Sequence, residues 1–155
     1  PIYGEVLGFA EGNRTYMRET DGWAEAIGLA LERAHQRPRE IDYMNLHGTG
    51  TRHGDLYETA ELREALGKQA YHIPMSSTKG ATGHMLGATG AVEIIATLLG
   101  IDEGFIPPTV GLEQKDPLCD LDYTPGKMRT KKITNAIKIS MGFGGQVATV
   151  LLRKI

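Results

Sequence analysis

Disulfide chemistry is absent from this sequence. Cys119 is the single cysteine among 155 residues, so no internal bridge can form, and the thiol content suits a reducing, cytoplasmic setting. An excess of charge is lacking too. Seventeen Lys and Arg against 19 Asp and Glu leave a formal net charge of −2, which gives no electrostatic case for nucleic acid or an anionic membrane as partner. No apolar run approaches the ~20 residues a membrane-spanning helix needs. The first residues, Pro-Ile-Tyr-Gly-Glu-Val, enter a β-rich stretch directly, without a charged-then-apolar leader. Solenoid repeats, low-complexity tracts and internal linkers are missing. The length fits one domain, 1–155, with a proper core.

Glycine, by contrast, is plentiful: 20 residues exceed the usual share of about 7%. The densest cluster lies in Ser76 to Glu93, which holds Gly80, Gly83, Gly87 and Gly90 with one cation, Lys79, and one imidazole, His84. Such glycines let a backbone turn sharply and pack closely. A histidine placed there, just ahead of an apolar helix, points to binding or chemistry.

Around this cluster the chain alternates. Ile2–Phe9 is predicted as a strand, followed by a turn over Glu11–Arg14. From Asp21, which can cap it, an amphipathic helix sets Trp23, Ala26, Ile27, Ala30, Leu31 and Ala34 on one face, and Pro38 lies beyond its end. Ile41–Leu46 is a second strand ending at His47-Gly48, and a second helix over Asp55–Leu66 is closed by Gly67. Ile73–Met75 reads as a short buried strand. The nearly all-apolar Ala91–Leu99 predicts a helix packed on all sides, running to about Ile101. Glu103–Thr134 is expected to be an irregular surface excursion, too long to be idle. Two strands close the chain, Asn135–Ser140 and Gln146–Arg153, joined by Gly142-Phe143-Gly144-Gly145. This order predicts an α/β fold, a mostly parallel five-stranded mixed sheet covered by helices. Function in such sheets collects beyond the strands' carboxyl ends. Three glycine-rich exits can converge there: His47–Thr51, Lys79–His84 and Gly142–Gly145.

Each candidate has a plain reading beside a functional one. Either histidine alone is more simply a satisfied, partly buried imidazole. Together, His47 and His84 suit a pair of donors aimed at one developing negative charge. A metal site would recruit His47, His53 and Asp55, but their spacing matches no ligand pattern and no cysteine assists, so no metal is expected. His35 and His72 are expected in solvent. A phosphate-binding reading of Gly80–Gly90 fails both the P-loop spacing and Gly-x-Gly-x-x-Gly. Lys79 and Glu93 could be surface charges, yet an unpaired carboxylate inside an apolar helix would cost several kcal/mol. A buried Lys79–Glu93 pair beside His84 satisfies both. The glycines of 142–145 serve a hairpin turn, or else let backbone N–H groups approach a substrate oxygen.

Taken in order, these segments resemble a known family. His47-Gly-Thr-Gly-Thr with Gly54-Asp55-x-x-Glu58, Ser77-Thr-Lys-Gly-Ala-Thr-Gly-His84, Leu86-Gly-Ala-Thr-Gly-Ala-Val-Glu93, Pro107-Pro-Thr109 and Gly142-Phe-Gly-Gly145 are similar to motifs of the β-ketoacyl synthases. The resemblance covers the carboxy-terminal half of such an enzyme, one thiolase-like half. The nucleophilic cysteine belongs to the other half. It implies decarboxylative Claisen condensation in fatty-acid or polyketide synthesis, with His47 and His84 stabilising the enolate oxygen and Lys79 paired with Glu93 ordering His84. The Phe143 amide would be half of an oxyanion hole. Thr49 and Thr51 match positions contacting pantetheine, and Met141, Gly142 and Gly144 line the substrate side. Met141 stands where the family commonly has a gating phenylalanine. Asp55 and Glu58 match an acidic pair with a supporting role. No cofactor is implied beyond the carrier protein's phosphopantetheine arm. The implied partners are an acyl carrier protein, the amino-terminal half, and a second copy in a homodimer of the complete synthase. Cys119 sits in a loop with no base nearby in sequence and reads as packing. A module that binds carrier protein or stabilises a complex without catalysis is the alternative.

Overall fold

The computed structural model describes residues 1–13 and 22–155. The elements among them are β1 (Glu5–Asn13), α1 (Trp23–Arg33), β2 (Tyr43–Asn45), α2 (Arg52–Leu66), β3 (Met75–Ser76), α3 (Lys79–Thr82), α4 (Thr89–Glu103), β4 (Phe105–Ile106), β5 (Arg129–Thr130), β6 (Asn135–Met141) and β7 (Gln146–Arg153). Five strands form a mixed sheet in the order β1-β7-β6-β2-β3, which is the α/β class expected. β3, β2 and β6 pair in parallel, whereas β7 turns back antiparallel on β6 and β1 pairs antiparallel with β7. The parallel portion therefore occupies one side of the sheet, and it is there that the glycine-rich exits leave.

Strand alternation sends successive side chains to opposite faces. On one face, Met44, Ile137, Ile139 and Leu151 pack with the apolar stripe of α1, namely Trp23, Ala26, Ile27, Ala30 and Leu31. On the other, Tyr43, Ala136 and Leu152 pack with Ile101 of α4. The first turn of α1 is held from α2, where Glu61 Oε2 accepts the Ala24 N–H at 2.9 Å. The Asp21 cap expected there lies outside the described residues, as does Arg14.

Three expectations are corrected. Glu11–Asn13 is strand rather than turn, because β1 stays in register with β7 as far as Asn13 opposite Gln146. α2 begins at Arg52, three residues earlier than expected. α4 is not packed on all sides. Its buried line is Thr89, Glu93, Thr97, Gly100 and Ile101, while Ile95 is 57% and Leu99 40% exposed. Polar side chains point inward because they have buried partners, and the apolar surplus faces out. The excursion after α4 is tied down by the β4–β5 pair, a Thr109–Pro125 bridge and the Arg63–Asp120 and Arg129–Asp122 ion pairs.

Candidate functional site

His47 leaves the carboxyl end of β2 into a turn gripped by α2. Buried Glu58 accepts the His47 N–H at 2.7 Å on one oxygen and the Gly48 N–H at 2.8 Å on the other. Burial pushes this carboxyl up to about 7, against the opposing pull of those two N–H groups. Asp55 adds a bond from the Gly50 N–H at 3.2 Å. Gly48 has φ +38, and a Cβ there would meet the Ser77 Cβ at 2.6 Å. Only glycine lets the β2 and β3 exits touch. The Ser77 hydroxyl fastens them by donating to the Gly48 carbonyl at 2.7 Å.

The His47 ring is fixed from two sides. Its Nδ1 accepts the Met141 N–H at 3.2 Å, and Trp23 lies against it with centroids 5.9 Å apart. A nitrogen that accepts an N–H bond carries no proton, so neutral His47 bears its hydrogen on Nε2. Burial lowers its basicity to a pKa of about 3, helped by the charges of Lys79, Lys138 and His84. His47 is a neutral donor at physiological pH.

His84 repeats this arrangement by different means. Its Nδ1 accepts the Leu86 N–H at 3.1 Å, a bond that requires Leu86 to adopt φ +50, an unusual conformation for leucine. Thr89 Oγ1 lies 3.1 Å from the same nitrogen and itself accepts the Met85 N–H at 2.8 Å. The threonine hydrogen is thereby free to turn to the ring, and neutral His84 also carries its proton on Nε2. The two rings stand edge to face, 5.8 Å apart at 86°.

Beneath them lies a buried ionic group. Lys79, at the start of α3, places Nζ 2.6 Å from Glu93 Oε1. Lys138 of β6 places Nζ 2.8 Å from Oε2 and also bonds the Ile139 carbonyl. Burial lowers Lys138 to a pKa of about 8 although Glu93 pulls it upward. Thr97 donates to the Glu93 carbonyl at 2.7 Å, and Asn45 donates to Thr97 at 3.2 Å. On the inward line of α4, Glu93 and Thr97 are thus tied to the sheet, while Thr89 holds the His84 turn.

A cleft of about 590 Å³ opens beside His84, with Thr49, Lys79, Gly80, Tyr123 and Cys119 among its lining; the neighbours of His47 in sequence, Leu46 and Gly48, line it, and His47 itself does not. Thr49 and Thr51 stand with hydroxyls 3.1 Å apart. Met141 is half-buried, while Gly142, Phe143 and Gly144 form an exposed turn, and Phe143 is 96% exposed. Thr109 joins the far wall to β3 by accepting the Ser77 N–H and donating to the Tyr123 carbonyl. The structure therefore brings His47, His84, Lys79, Glu93 and Met141 together, with His47 half-buried and His84 exposed, and leaves Phe143 and Thr51 at the surface. His35, His53 and His72 are exposed, and no three metal-ligating side chains come together among the described residues. Lys138 and Trp23 were missed by sequence reasoning. A lysine at the polar beat of Ala-Ile-Lys-Ile-Ser reads as solvent-facing, and Trp23 as plain core.

Comparison with known proteins adds the following. Residues 3–113 match the family model described as the β-ketoacyl synthase, C-terminal domain. The tetracenomycin polyketide synthase ketoacyl synthase alpha subunit of Streptomyces glaucescens is 45% identical over 97% of this chain and 37% of that protein. The 3-oxoacyl-[acyl-carrier-protein] synthase 2 of Synechocystis is 42% identical over 99% of this chain and 38% of that protein. Among solved structures, a type II polyketide acyl-carrier protein in complex with its ketosynthase superposes with TM-score 0.94 at 35% identity, covering 100% of this chain and 39% of that one. A β-ketoacyl synthase from Burkholderia phymatum gives 0.91 at 32%, covering 100% and 38%. The chain spans under two-fifths of the length of these relatives.

Proposed function

Because the chain belongs to the β-ketoacyl synthase family, as its carboxy-terminal domain, we propose that it supplies the two-histidine half of a condensing site. The observation that carries this reading is the pairing of His47 and His84, each with Nδ1 occupied and Nε2–H left to donate. Two N–H donors suit an oxygen that gains charge during reaction, since preorganised donors are worth most where charge develops. In the proposed step a malonyl thioester loses carbon dioxide. The electron pair of the broken C–C bond moves onto the thioester oxygen, which His47 and His84 receive as an enolate. The enolate carbon then attacks an acyl thioester, and the C–S bond breaks to release the thiolate.

That acyl group is held on a cysteine of an amino-terminal half, in fatty-acid or polyketide synthesis. Lys79 and Glu93 order the floor of the site. The Phe143 amide, in the Gly142–Gly144 turn, completes an oxyanion hole with the cysteine's own amide, and Met141 borders the acyl pocket. Thr49 and Thr51 receive the phosphopantetheine arm of an acyl carrier protein, and no other cofactor takes part. Residues 1–155 act as one domain, and two copies of the complete synthase pair as a homodimer. Without the nucleophile the chain alone is inactive. The test is to incubate it with acyl- and malonyl-carrier protein, with and without an amino-terminal half, and to assay β-ketoacyl product by mass spectrometry. Product is expected only from the complemented mixture. Product from the chain alone that Cys119→Ser abolishes would make Cys119 the nucleophile and overturn this division of labour.

A further inference from the structure

The buried ionic group under the histidines holds one more cation than the Lys79–Glu93 pair requires. Lys138 has 2% of its side chain exposed and faces α4 from the middle of the sheet. Each oxygen of Glu93 has its own ammonium, at 2.6 Å from Lys79 and 2.8 Å from Lys138. One carboxylate between two ammonium groups leaves a surplus positive charge in a dry interior, where charges act strongly. Burying a second lysine is costly, and Lys79 alone already answers Glu93. The fold tolerates Lys138 two residues before Ser140, whose carbonyl accepts from Trp23, and three before Met141, whose N–H holds the imidazole.

We propose that Lys138 is a positioning residue: it fixes the far oxygen of Glu93 and sets a second positive charge near His47, so that the imidazole stays an uncharged Nε2–H donor. Its use in condensation rests on the function proposed above, but its effect on His47 does not. The ionisable groups facing this cluster are Glu93 on α4, Lys79 on α3, Glu58 on α2, Tyr43 on β2, and His47 and His84 themselves. Of these, Glu93 and Glu58 favour a charged Lys138, and Lys79 opposes it. Lys138 stands opposite Asn45, two residues before His47, in the β2–β6 ladder; a positive charge there makes protonation of the ring unfavourable, and removing it relaxes the effect.

The experiment follows the His47 imidazole by ¹⁵N NMR as pH is lowered, in the parent chain and in Lys138→Met, which keeps the volume and removes the charge. Expected is a rise of about one unit in the His47 midpoint, with Glu93 still paired to Lys79. An unchanged midpoint in a folded variant overturns the proposal, because a lysine serving packing alone would alter only the melting temperature. Should Lys138→Met not fold, the Lys138 ¹⁵Nζ signal of the parent decides. A charged ammonium at pH 7 supports the proposal, and a neutral amine overturns it. Neither readout uses catalysis, so failure here leaves the condensing reading standing, and loss of that reading leaves the His47 titration to be judged alone.

Discussion

His47 is held uncharged by burial, and that carries a consequence for acid stability. Its folded pKa of about 3 lies below the ordinary value of 6.5. Between those values the unfolded chain binds a proton that the folded one does not, so folding weakens as pH falls through this window. His47→Gln should therefore lose less stability than the parent between pH 6.5 and pH 4 by urea denaturation. Parallel curves would mean the ring is not the buried neutral group described. Glu93 invites a larger effect. Glu93→Gln leaves Lys79 and Lys138 buried without a counter-charge and should cost about 3–5 kcal/mol. Loss of the exposed Arg37–Glu40 pair through Arg37→Ala should cost under about 1 kcal/mol. The two losses, measured by the same denaturation, should differ severalfold, and equal losses would place Glu93 outside the interior. Much of this was legible in sequence, because a carboxylate inside an apolar run needs a partner and Lys79 was within reach. Lys138 was not, since strand alternation hides a lysine whose polar face turns out to be covered by a helix.

At the scale of elements, the site depends on turns that bring backbones closer than a side chain allows. A Cβ on Gly80 would sit 2.1 Å from the Val110 carbonyl oxygen, so α3 and the segment after Pro108 touch through this glycine. Gly80→Ala should push the 109–112 wall of the cleft outward and lower the melting temperature. Gly87→Ala, where a Cβ meets nothing within 4 Å, should be neutral or slightly stabilising. Thermal unfolding of the two variants checks the contrast, and equal loss would argue against the close approach. The positions of the glycine-rich exits could be read from strand, glycine and histidine in sequence. Their closeness could not, because nothing in a glycine's type names the carbonyl it faces. The orientation of α4 was misread for a similar reason. An almost continuous apolar run has no clear period, and the informative feature was the spacing of four between Thr89, Glu93 and Thr97, which marks the buried face.

For the whole molecule, the sheet order, the two packed faces and the convergence of exits bring the two imidazoles to one side, above a buried ionic group. The opposite surface of α4 keeps Ile95 and Leu99 in solvent. In the proposed reaction His47 and His84 act together on one oxygen. The most direct measurement is the rate of ¹³CO₂ release from malonyl-carrier protein by this chain complemented with an amino-terminal half, for His47→Gln, His84→Gln and the double variant. Each single change should slow release by about 10²–10³-fold, and the double variant should fall well short of the product of the two, because both donors serve the same developing charge. Release at the parental rate from either single variant would contradict the claim.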